Sequence, residues 1–289
     1  MKSLILVQVF VFCVGTLVGQ TVTGKIVDVS TGEPLVYVSI GVIGQPRGTI
    51  TDETGAFELE INNLSAEATV RFSMIGYIAQ TYTIRELSDN NGKNIGLKSA
   101  SIPLSEVVIK PGKLRKIGVT KPSRSASGWG GNNFRKDGYG KGLEIGTKMK
   151  LGELPVQVKS LHIHFHKQTF DSCLLRLHVR NIVNELPGDE LLNQNIYITI
   201  TKASGWVEFD LSKYYLVFQG NIVLSLEWIS DKSDNKNQYV SVRTEDEKLP
   251  FAPVIFFSLS RKGSKYGRMG SEAQWKQTEG SPCFYLTVK

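Results

Sequence analysis

Histidines alternate with apolar residues in the segment 161–166, which reads LHIHFH. In an extended strand, side chains two positions apart lie on the same face, so His162, His164 and His166 share one side and the apolar residues the other. Imidazoles from one strand and its neighbour are typical zinc ligands, and three of them leave a coordination position for water. The segment therefore indicates a metal site, a ligand-binding face, or a polar strand face turned to solvent.

A second strand is predicted at 174–180, where leucine and valine alternate with Arg176, His178 and Arg180. If the residues between the two strands form a hairpin loop, the apolar sides share one core and the basic sides share one outer face. One register places His162 opposite His178, which brings all the candidate ligand-binding residues of the two strands together.

Three interpretations of this basic face stay open. It is a solvated strand face that opposes aggregation, a face that binds a ligand such as a glycan, or a metal site formed by His162, His164 and His178. Two neighbouring arginines repel a cation, and a shift of register by one residue would separate the histidines. We therefore predict no metal and no cofactor, with these three histidines as the metal candidates. Contact sensitive to pH is a further interpretation, because histidine titrates near neutrality.

Motifs for catalysis are not found in the sequence. It contains no HExxH or HxxE zinc motif and no GxSxG nucleophile elbow. Glu208 and Asp210 form a carboxylate pair compatible with glycoside hydrolysis, but such pairs are common on solvated strand faces. A cysteine nucleophile would require Cys173 or Cys283 to be exposed beside a histidine. We predict no catalytic residues and a protein that is not an enzyme.

Cysteine and tryptophan residues give two further predictions. Cys173 and Cys283 both begin apolar runs; in an exported protein they form a disulfide, or they are two buried free thiols. Trp275 lies in a polar stretch and is the candidate exposed aromatic side chain for ligand contact. Trp206 and Trp228 are more typical of a sandwich core.

The elements that position these residues are predicted to be strands. About ten strand-like runs without an amphipathic helix occupy residues 143–289, which suits a jelly-roll-like β-sandwich. In residues 21–109, runs rich in Val, Ile, Thr and Tyr are separated by Gly, Pro, Asp and Ser, which predicts a small antiparallel sandwich. At its centre, Asp52 and Gly55 predict a hairpin turn, and the following residues alternate between apolar and acidic.

This N-terminal segment resembles the carboxypeptidase-regulatory-like domain. The matching positions are Gly24, Asp28, residues 31–35 (TGEPL), Val38, Gly48, Thr49, Thr51, Asp52, Gly55, Phe57 and residues 73–77 (SMIGY). The resemblance implies a transthyretin-like sandwich of seven strands with a structural or binding role. It also implies a protein of Bacteroidetes type, where this module precedes TonB-dependent outer-membrane receptors and occurs in other exported proteins.

The first residues and the junction between the domains have distinct compositions. Residues 1–20 read as a signal peptide, with a lysine followed by an apolar run and small residues. Of the net charge of +7, much lies in 101–142, which has nine basic and two acidic residues. Residues 104–109 are predicted to be a last strand, and 110–142 a basic Gly/Ser-rich linker. The linker favours independent movement of the domains, and its alternative role is contact with an anionic surface such as lipopolysaccharide or acidic glycan.

With 289 residues, 41% of them hydrophobic, the chain is long enough for two globular domains. We predict an all-β exported protein of the periplasm, outer membrane or cell surface. It would be a non-enzymatic structural or binding module, with a cell-envelope protein or glycan as partner, outer-membrane components as further candidates, and no nucleic acid. A metal-dependent hydrolase and an accessory to an outer-membrane uptake system are the alternatives, and the oligomeric state is left open.

Overall fold

A computed structural model describes residues 20–89, 94–100, 112–123, 142–168, 170–232 and 255–289. These residues form β-strands apart from one short helix, one turn of 3-10 helix and connecting loops. No helix in this part of the chain is long and apolar enough to cross a membrane. The predicted signal peptide up to residue 19, the predicted strand 104–109 and the linker residues 124–141 lie outside the described residues.

The first domain is a sandwich of two four-stranded sheets. Its strands are β1 (Thr21–Asp28), β2 (Ser39–Val42), β3 (Gly48–Ile50), β4 (Ala56–Glu60), β5 (Thr69–Ser73), β6 (Tyr77–Ile78), β7 (Gln80–Thr83) and β8 (Asn94–Ser99). The sheet orders are β4-β1-β8-β6 and β3-β2-β5-β7. The described residues of this domain thus contain eight strands where the resemblance implied seven, and β6 is only two residues long.

The turn that was predicted from Asp52 and Gly55 is confirmed. The Asp52 carboxylate accepts hydrogen bonds from the backbone N–H groups of Thr54 (2.8 Å) and Ala56 (3.0 Å). Gly55 has φ +76°, the left-handed conformation that glycine adopts most readily. In the strand that follows, the apolar side chains are buried and Glu58 is exposed, as the alternation predicts.

A short helix, α1 (Ile84–Asp89), is not among the predicted elements. Its first turn is a capping box, in which Glu86 accepts a hydrogen bond from the Thr83 backbone and the Thr83 hydroxyl accepts one from the Glu86 backbone. Ile84 and Leu87 are buried against the first domain's core. The T-x-x-E pattern was therefore the available sequence signal for this helix.

The described part of the second domain contains eleven connected strands. They are β9 (Arg115–Gly118), β10 (Leu143–Gln168), β11 (Ser172–Val183), β12 (Leu186–Glu190), β13 (Ile196–Ile200), β14 (Gly205–Asp210), β15 (Val217–Lys232), β16 (Ile255–Phe257), β17 (Leu259–Met269), β18 (Lys276–Pro282) and β19 (Phe284–Val288). The fold class is all-β sandwich, as predicted. Strand β9 lies within the predicted linker and pairs with β19, so this part of the linker belongs to the sheet.

The long strand β10 contributes to both layers of this sandwich. Its first half pairs with β15 and β17, in a layer of order β12-β11-β15-β10-β17-β18. Its second half pairs with β14 and β19, which form the other layer. Register shifts between Lys150 and Val156, together with φ +97° at Gly152, separate the two halves. Bulges of this kind bend a strand and let it pass from one layer to the next.

The predicted hairpin between the two basic strands is wrong. In the described chain, β11 pairs with β12, β13 and β15, and not with β10. The apolar sides of both strands nevertheless share one core, which includes Leu161, Ile163, Leu175 and Leu177. Because each layer turns its apolar side inward, the polar sides of the two strands point in opposite directions. The single basic face that the sequence predicted is therefore divided into two separate faces.

Candidate functional site

The polar side of the layer that contains β11 carries a cluster of buried charges, which we call the ionic face. It consists of Glu144, Arg176, His178, Arg180, Glu190, Glu227 and Arg268. Arg176 and Glu227 are each 1% exposed, and Glu144 is fully buried. Alternation in the strands places these side chains together, since Arg176 on β11 lies opposite Glu227 on β15, and Glu227 lies opposite Glu144 on β10.

His178 lies between two carboxylates at one end of the ionic face. Its Nδ1 is 2.5 Å from Glu190 Oε2, and its Nε2 is 2.9 Å from Glu227 Oε2. The same Oε2 of Glu227 is 3.4 Å from Arg176 Nη1. An imidazolium donates from both ring nitrogens, so this geometry suits a protonated histidine that bridges Glu190 and Glu227.

Glu144 is the centre of the other end of the ionic face. Arg268 donates to its Oε2 from Nη2 (2.6 Å) and Nε (2.9 Å), and Arg180 Nε lies 3.4 Å from its Oε1. The Ser225 hydroxyl donates to Oε1 as well. The Arg268 guanidinium also lies 4.7 Å from the centroid of the Trp275 ring, a cation–π distance. Trp275 is half-buried against this network and does not line the cavity beside it, whereas the sequence predicted an exposed aromatic residue.

The pKa values of these groups follow from burial and opposed charges. Burial raises the pKa of Glu227, but Arg176 and the hydrogen bond from His178 outweigh it and hold the value at about 2. The pKa of Glu144 is likewise held well below its usual range, because Arg180 and Arg268 outweigh burial. Burial lowers the pKa of His178, while Glu144 and Glu190 raise it, and the net direction is upward. The ionic face thus stabilises both the ionised carboxylates and the protonated form of His178.

The first domain covers the ionic face. Ser39 on β2 donates a hydrogen bond to Glu227 Oε1 (2.8 Å), and Arg176 donates to the backbone carbonyl of Tyr37. Tyr37 has φ +63°. A Cβ atom at Gly41 would lie 2.6 Å from Ser271 Oγ, so β2 approaches the second domain too closely for a larger residue. The two domains are therefore packed together, contrary to the independent movement that the linker favours.

Further contacts join the domains around this centre. Ile75 of the first domain is 8% exposed and belongs to the core of the second. Its carbonyl accepts a hydrogen bond from Asn195 Nδ2 (3.0 Å). Arg71 Nη1 lies 3.3 Å from Glu272 Oε1, and Gly44 N–H donates to the Glu272 carbonyl (2.9 Å). The interface thus combines apolar insertion with polar pairing.

A cavity of about 260 Å³ remains between the domains at the ionic face, and we call it the interdomain pocket. One wall is formed by residues 73–77, Ala79 and Ala100, and the other by arginine, histidine and glutamate side chains of the ionic face. Two buried polar atoms of its lining residues, Arg176 Nε and Ser271 Oγ, have no hydrogen-bond partner among the residues that the structure describes. The predicted ligand-binding residues Arg176, His178 and Arg180 all line this pocket.

The opposite layer carries a different polar side, which we call the aromatic face. It consists of His162, His164, Trp206 and Tyr285. The His162 and Tyr285 rings are stacked with centroids 4.1 Å apart, and the His164 and Trp206 rings meet edge to face at 5.0 Å. His162 Nε2 lies 2.9 Å from Ser160 Oγ. Burial is the main cause that lowers the pKa of both histidines, so their neutral forms are favoured.

The metal hypothesis is not supported by this geometry. His162 and His164 lie on the aromatic face and His178 on the ionic face, so the three candidate ligands are separated by the sandwich core. Within the described residues, no group of three or more His, Cys, Asp or Glu side chains could hold a metal ion. The three histidines would meet only if β10 and β11 paired as consecutive strands, and they do not.

The disulfide between Cys173 and Cys283 is not formed. Both residues are free, buried thiols, which was the alternative in the sequence analysis. Burial raises the pKa of Cys283 to about 12 and that of Cys173 well above its usual range. Neither thiol is suited to act as a nucleophile, because the reactive form is the thiolate.

The acidic residues of the ionic face, Glu144, Glu190 and Glu227, were not predicted from the sequence, and neither was Arg268, which pairs with Glu144. A signal for Glu227 was present. The run 222–229 reads IVLSLEWI, where Ser225 and Glu227 are the only polar residues in an otherwise apolar strand. A single carboxylate in such a strand needs a buried partner of opposite charge, and the candidate partners were the arginines of β11.

Comparison with known protein families identifies the first domain. Residues 22–109 match the family model of the CarboxypepD_reg-like domain. This segment is therefore a carboxypeptidase-regulatory-like domain, as the resemblance predicted. A comparison with curated proteins finds no match for the chain.

Two of the solved structures that match this chain are distantly similar to it. The cysteine protease and lectin-like domains of Cwp84, a surface layer associated protein of Clostridium difficile, align with a TM-score of 0.35 and 10% identity, over 52% of this chain and 33% of that one. Infectious bursal disease virus, Gt strain, aligns with a TM-score of 0.25 and 9% identity, over 93% of this chain and 62% of that one. The chain thus spans less than two thirds of either relative, and scores this low carry no information on function.

Proposed function

We propose that this protein is an exported, non-enzymatic binding protein of the cell envelope, and that the interdomain pocket holds a small polar ligand. The observation that carries the proposal is the pair of buried, unpartnered polar atoms, Arg176 Nε and Ser271 Oγ, in the lining residues of that pocket. A buried polar group without a partner costs free energy. A polar molecule in the pocket that reaches these atoms would remove that cost.

The state of the titratable groups supports binding rather than catalysis. A general acid or base works best with a pKa near the operating pH, whereas Glu227 is held at about 2 and His178 is bridged between two carboxylates. The two thiols have raised pKa values. The side chains around the pocket are thus arranged to keep fixed charges and to position a ligand.

The first domain supplies one wall of the pocket in this proposal. Its role is structural, since it covers the ionic face and leaves an opening beside residues 73–77. Export is supported by the signal-like residues 1–20 and by the kind of domain that follows them. The partner class is accordingly a glycan or peptide component of the cell envelope.

The proposal is tested with the mature protein, from Thr21 onward, screened by thermal shift against envelope glycans, their monosaccharides and short peptides. We expect a concentration-dependent rise in Tm with at least one ligand, and recovery of that ligand unchanged after prolonged incubation. Cell fractionation of the full chain should place it in the envelope fraction. Formation of product, cytosolic retention, or no stabilising ligand in the whole panel would contradict the proposal.

A further inference from the structure

We infer that the ligand of the interdomain pocket carries a single carboxylate group, held by the arginine-rich wall. This inference rests on the proposed function and adds the chemical class of the ligand. It follows from the charges of the pocket wall, from the donors that are left over there, and from the shape of the opposite wall.

The pocket wall has an excess of positive charge. It contains four arginines, Arg71, Arg176, Arg180 and Arg268, and three glutamates, Glu190, Glu227 and Glu272. Glu144 does not line the pocket but pairs with Arg180 and Arg268 behind it, so four glutamates balance the four arginines. The surplus is the one positive charge of His178, which is hydrogen-bonded to a carboxylate at each ring nitrogen. A single anionic group would balance that charge, and its attraction is stronger in a partly buried site than in water.

Hydrogen-bond donors in the wall point to the same class. Arg176 uses Nη1 for Ser39 and Nη2 for the Tyr37 carbonyl, while its Nε has no partner. An arginine nitrogen can only donate, and a carboxylate can only accept. Ser271 Oγ provides a second buried group without a partner. A ligand carboxylate that reaches both groups would satisfy them with its two acceptor oxygens.

Arg71 provides a third donor at the mouth of the pocket. Its side chain is 44% exposed, and its Nη1 contacts Glu272 only at 3.3 and 3.4 Å. An arginine held this loosely can turn toward a bound carboxylate, for which its guanidinium offers two parallel hydrogen bonds. The residue that competes with the ligand is then Glu272.

The opposite wall suits the carbon skeleton of a small molecule. It presents Met74, Ile75, Ala79 and Ala100 of the first domain, and Leu192 of the second domain adds apolar surface to the pocket. The volume of about 260 Å³ corresponds to roughly eight or nine waters at ~30 Å³ each, which is room for one sugar ring or a dipeptide. A dianionic group such as a phosphate monoester fits less well, because Glu190 and Glu227 lie in the same wall and repel a second negative charge.

The class is tested by isothermal titration calorimetry with two pairs of probes on the mature protein. One pair is galacturonate and its methyl ester, and the other is N-acetyl-dialanine and its C-terminal amide. We expect the acid of at least one pair to bind about tenfold more tightly than its neutral counterpart, as a hydrogen bond to a charged group implies. The pair that shows the difference tells whether the carboxylate belongs to an acidic sugar or to a peptide C-terminus.

Variants with opposite expected signs sharpen this test. Arg71→Gln should weaken binding of the acid about tenfold and leave the neutral probe unchanged. Glu272→Gln should tighten binding of the acid, because it releases Arg71 and removes a competing charge.

Ser271→Ala should weaken binding without lowering Tm, because the hydroxyl makes no hydrogen bond in the ligand-free protein. The matched control is Ser281→Ala, which removes an equally buried hydroxyl that is paired with Thr147 outside the pocket. That control should lower Tm and leave affinity unchanged.

The outcomes separate this inference from the proposed function. If acid and neutral probes bind equally, or if only uncharged ligands of the wider panel bind, the carboxylate inference is overturned and the proposed function stands. If nothing in the wider panel binds, both are overturned. Unchanged affinity for the acid in both Arg71→Gln and Ser271→Ala would also overturn the inference.

Discussion

The ionic face and the aromatic face start from the same sequence pattern and end in opposite chemical states. Each is the polar side of a strand that alternates leucine, isoleucine or valine with basic residues. On the ionic face, His178 lies between two carboxylates and its pKa is raised. On the aromatic face, His162 stacks on Tyr285 and its pKa is lowered.

The difference comes from the residues on the neighbouring strands. Strand β15 places Glu227 beside β11, and the first domain then covers the pair. Strands β14 and β19 instead place Trp206 and Tyr285 beside the histidines of β10. The residues on the neighbouring strands therefore decide whether a basic residue in a strand joins an ion network or a stack of neutral rings. Four predictions test this comparison.

The largest expected effect is the loss of a charge from the ionic face. Glu227→Gln leaves Arg176 and His178 buried with too little negative charge, and we expect a loss of about 3–5 kcal/mol in the free energy of unfolding. His164→Gln on the aromatic face removes a neutral hydrogen bond to Ser258 and an edge-to-face contact with Trp206, and should cost about 1–2 kcal/mol. Urea unfolding of both variants measures the difference. Equal losses would mean that the two faces do not differ as described.

The contact between the domains gives the next effect. Gly41→Ala would place a Cβ 2.6–2.9 Å from side-chain atoms of Ser271 and Glu272, and overpacking of this kind costs about 1–3 kcal/mol. We expect a larger radius of gyration in small-angle X-ray scattering as the domains separate. Gly32→Ala is the control, because a Cβ there meets nothing within 4 Å. It should cost stability through its φ of +74° and leave the radius unchanged.

The pH dependence of stability should have opposite signs for the two faces. The folded pKa of His178 is raised from 6.5, so its contribution is complete below pH 6.5 and is lost as pH rises through the raised value. The folded pKa values of His162 and His164 are lowered from 6.5. Their neutral forms are favoured, so the protein loses stability as pH falls from 6.5 through the lowered values.

Two measurements check these signs. Histidine ring signals in NMR should titrate above pH 6.5 for His178 and below it for His162 and His164. In unfolding experiments between roughly pH 5 and pH 9, His178→Gln should abolish the decline on the alkaline side. His162→Gln should reduce the decline on the acidic side. A His178 signal that titrates below 6.5 would refute its place between two ionised carboxylates.

The smallest effect concerns the core that separates the two faces. Cys173 and Cys283 are buried free thiols with raised pKa values. A thiol reagent should therefore react slowly with the native mature protein. After unfolding, it should react readily with both thiols. Adding a reductant should change the free energy of unfolding by less than about 0.5 kcal/mol. A fall of several kcal/mol would indicate a disulfide and a different packing of the core.

The sequence was sufficient for features that depend on neighbouring residues. The turn at Asp52 and Gly55 was predicted because the Asx hydrogen bonds and the positive φ are local. The inward sides of β10 and β11 were predicted because alternation decides which side of a strand can be buried, whichever strand it pairs with. The family resemblance predicted the type of the first domain, and the match over residues 22–109 confirms it.

The partners of the polar side chains were decided by the tertiary structure alone. His178 and Glu227 are 49 positions apart, Glu144 and Arg268 124, and Ser39 and Glu227 188. Alternation fixes the side of the strand but not the neighbour, since pairing over such separations depends on the topology of the whole sandwich and on the position of the first domain. The sequence by itself therefore determined that Arg176, His178 and Arg180 share one polar face, and only the packing of the two domains made that face a buried network with a pocket.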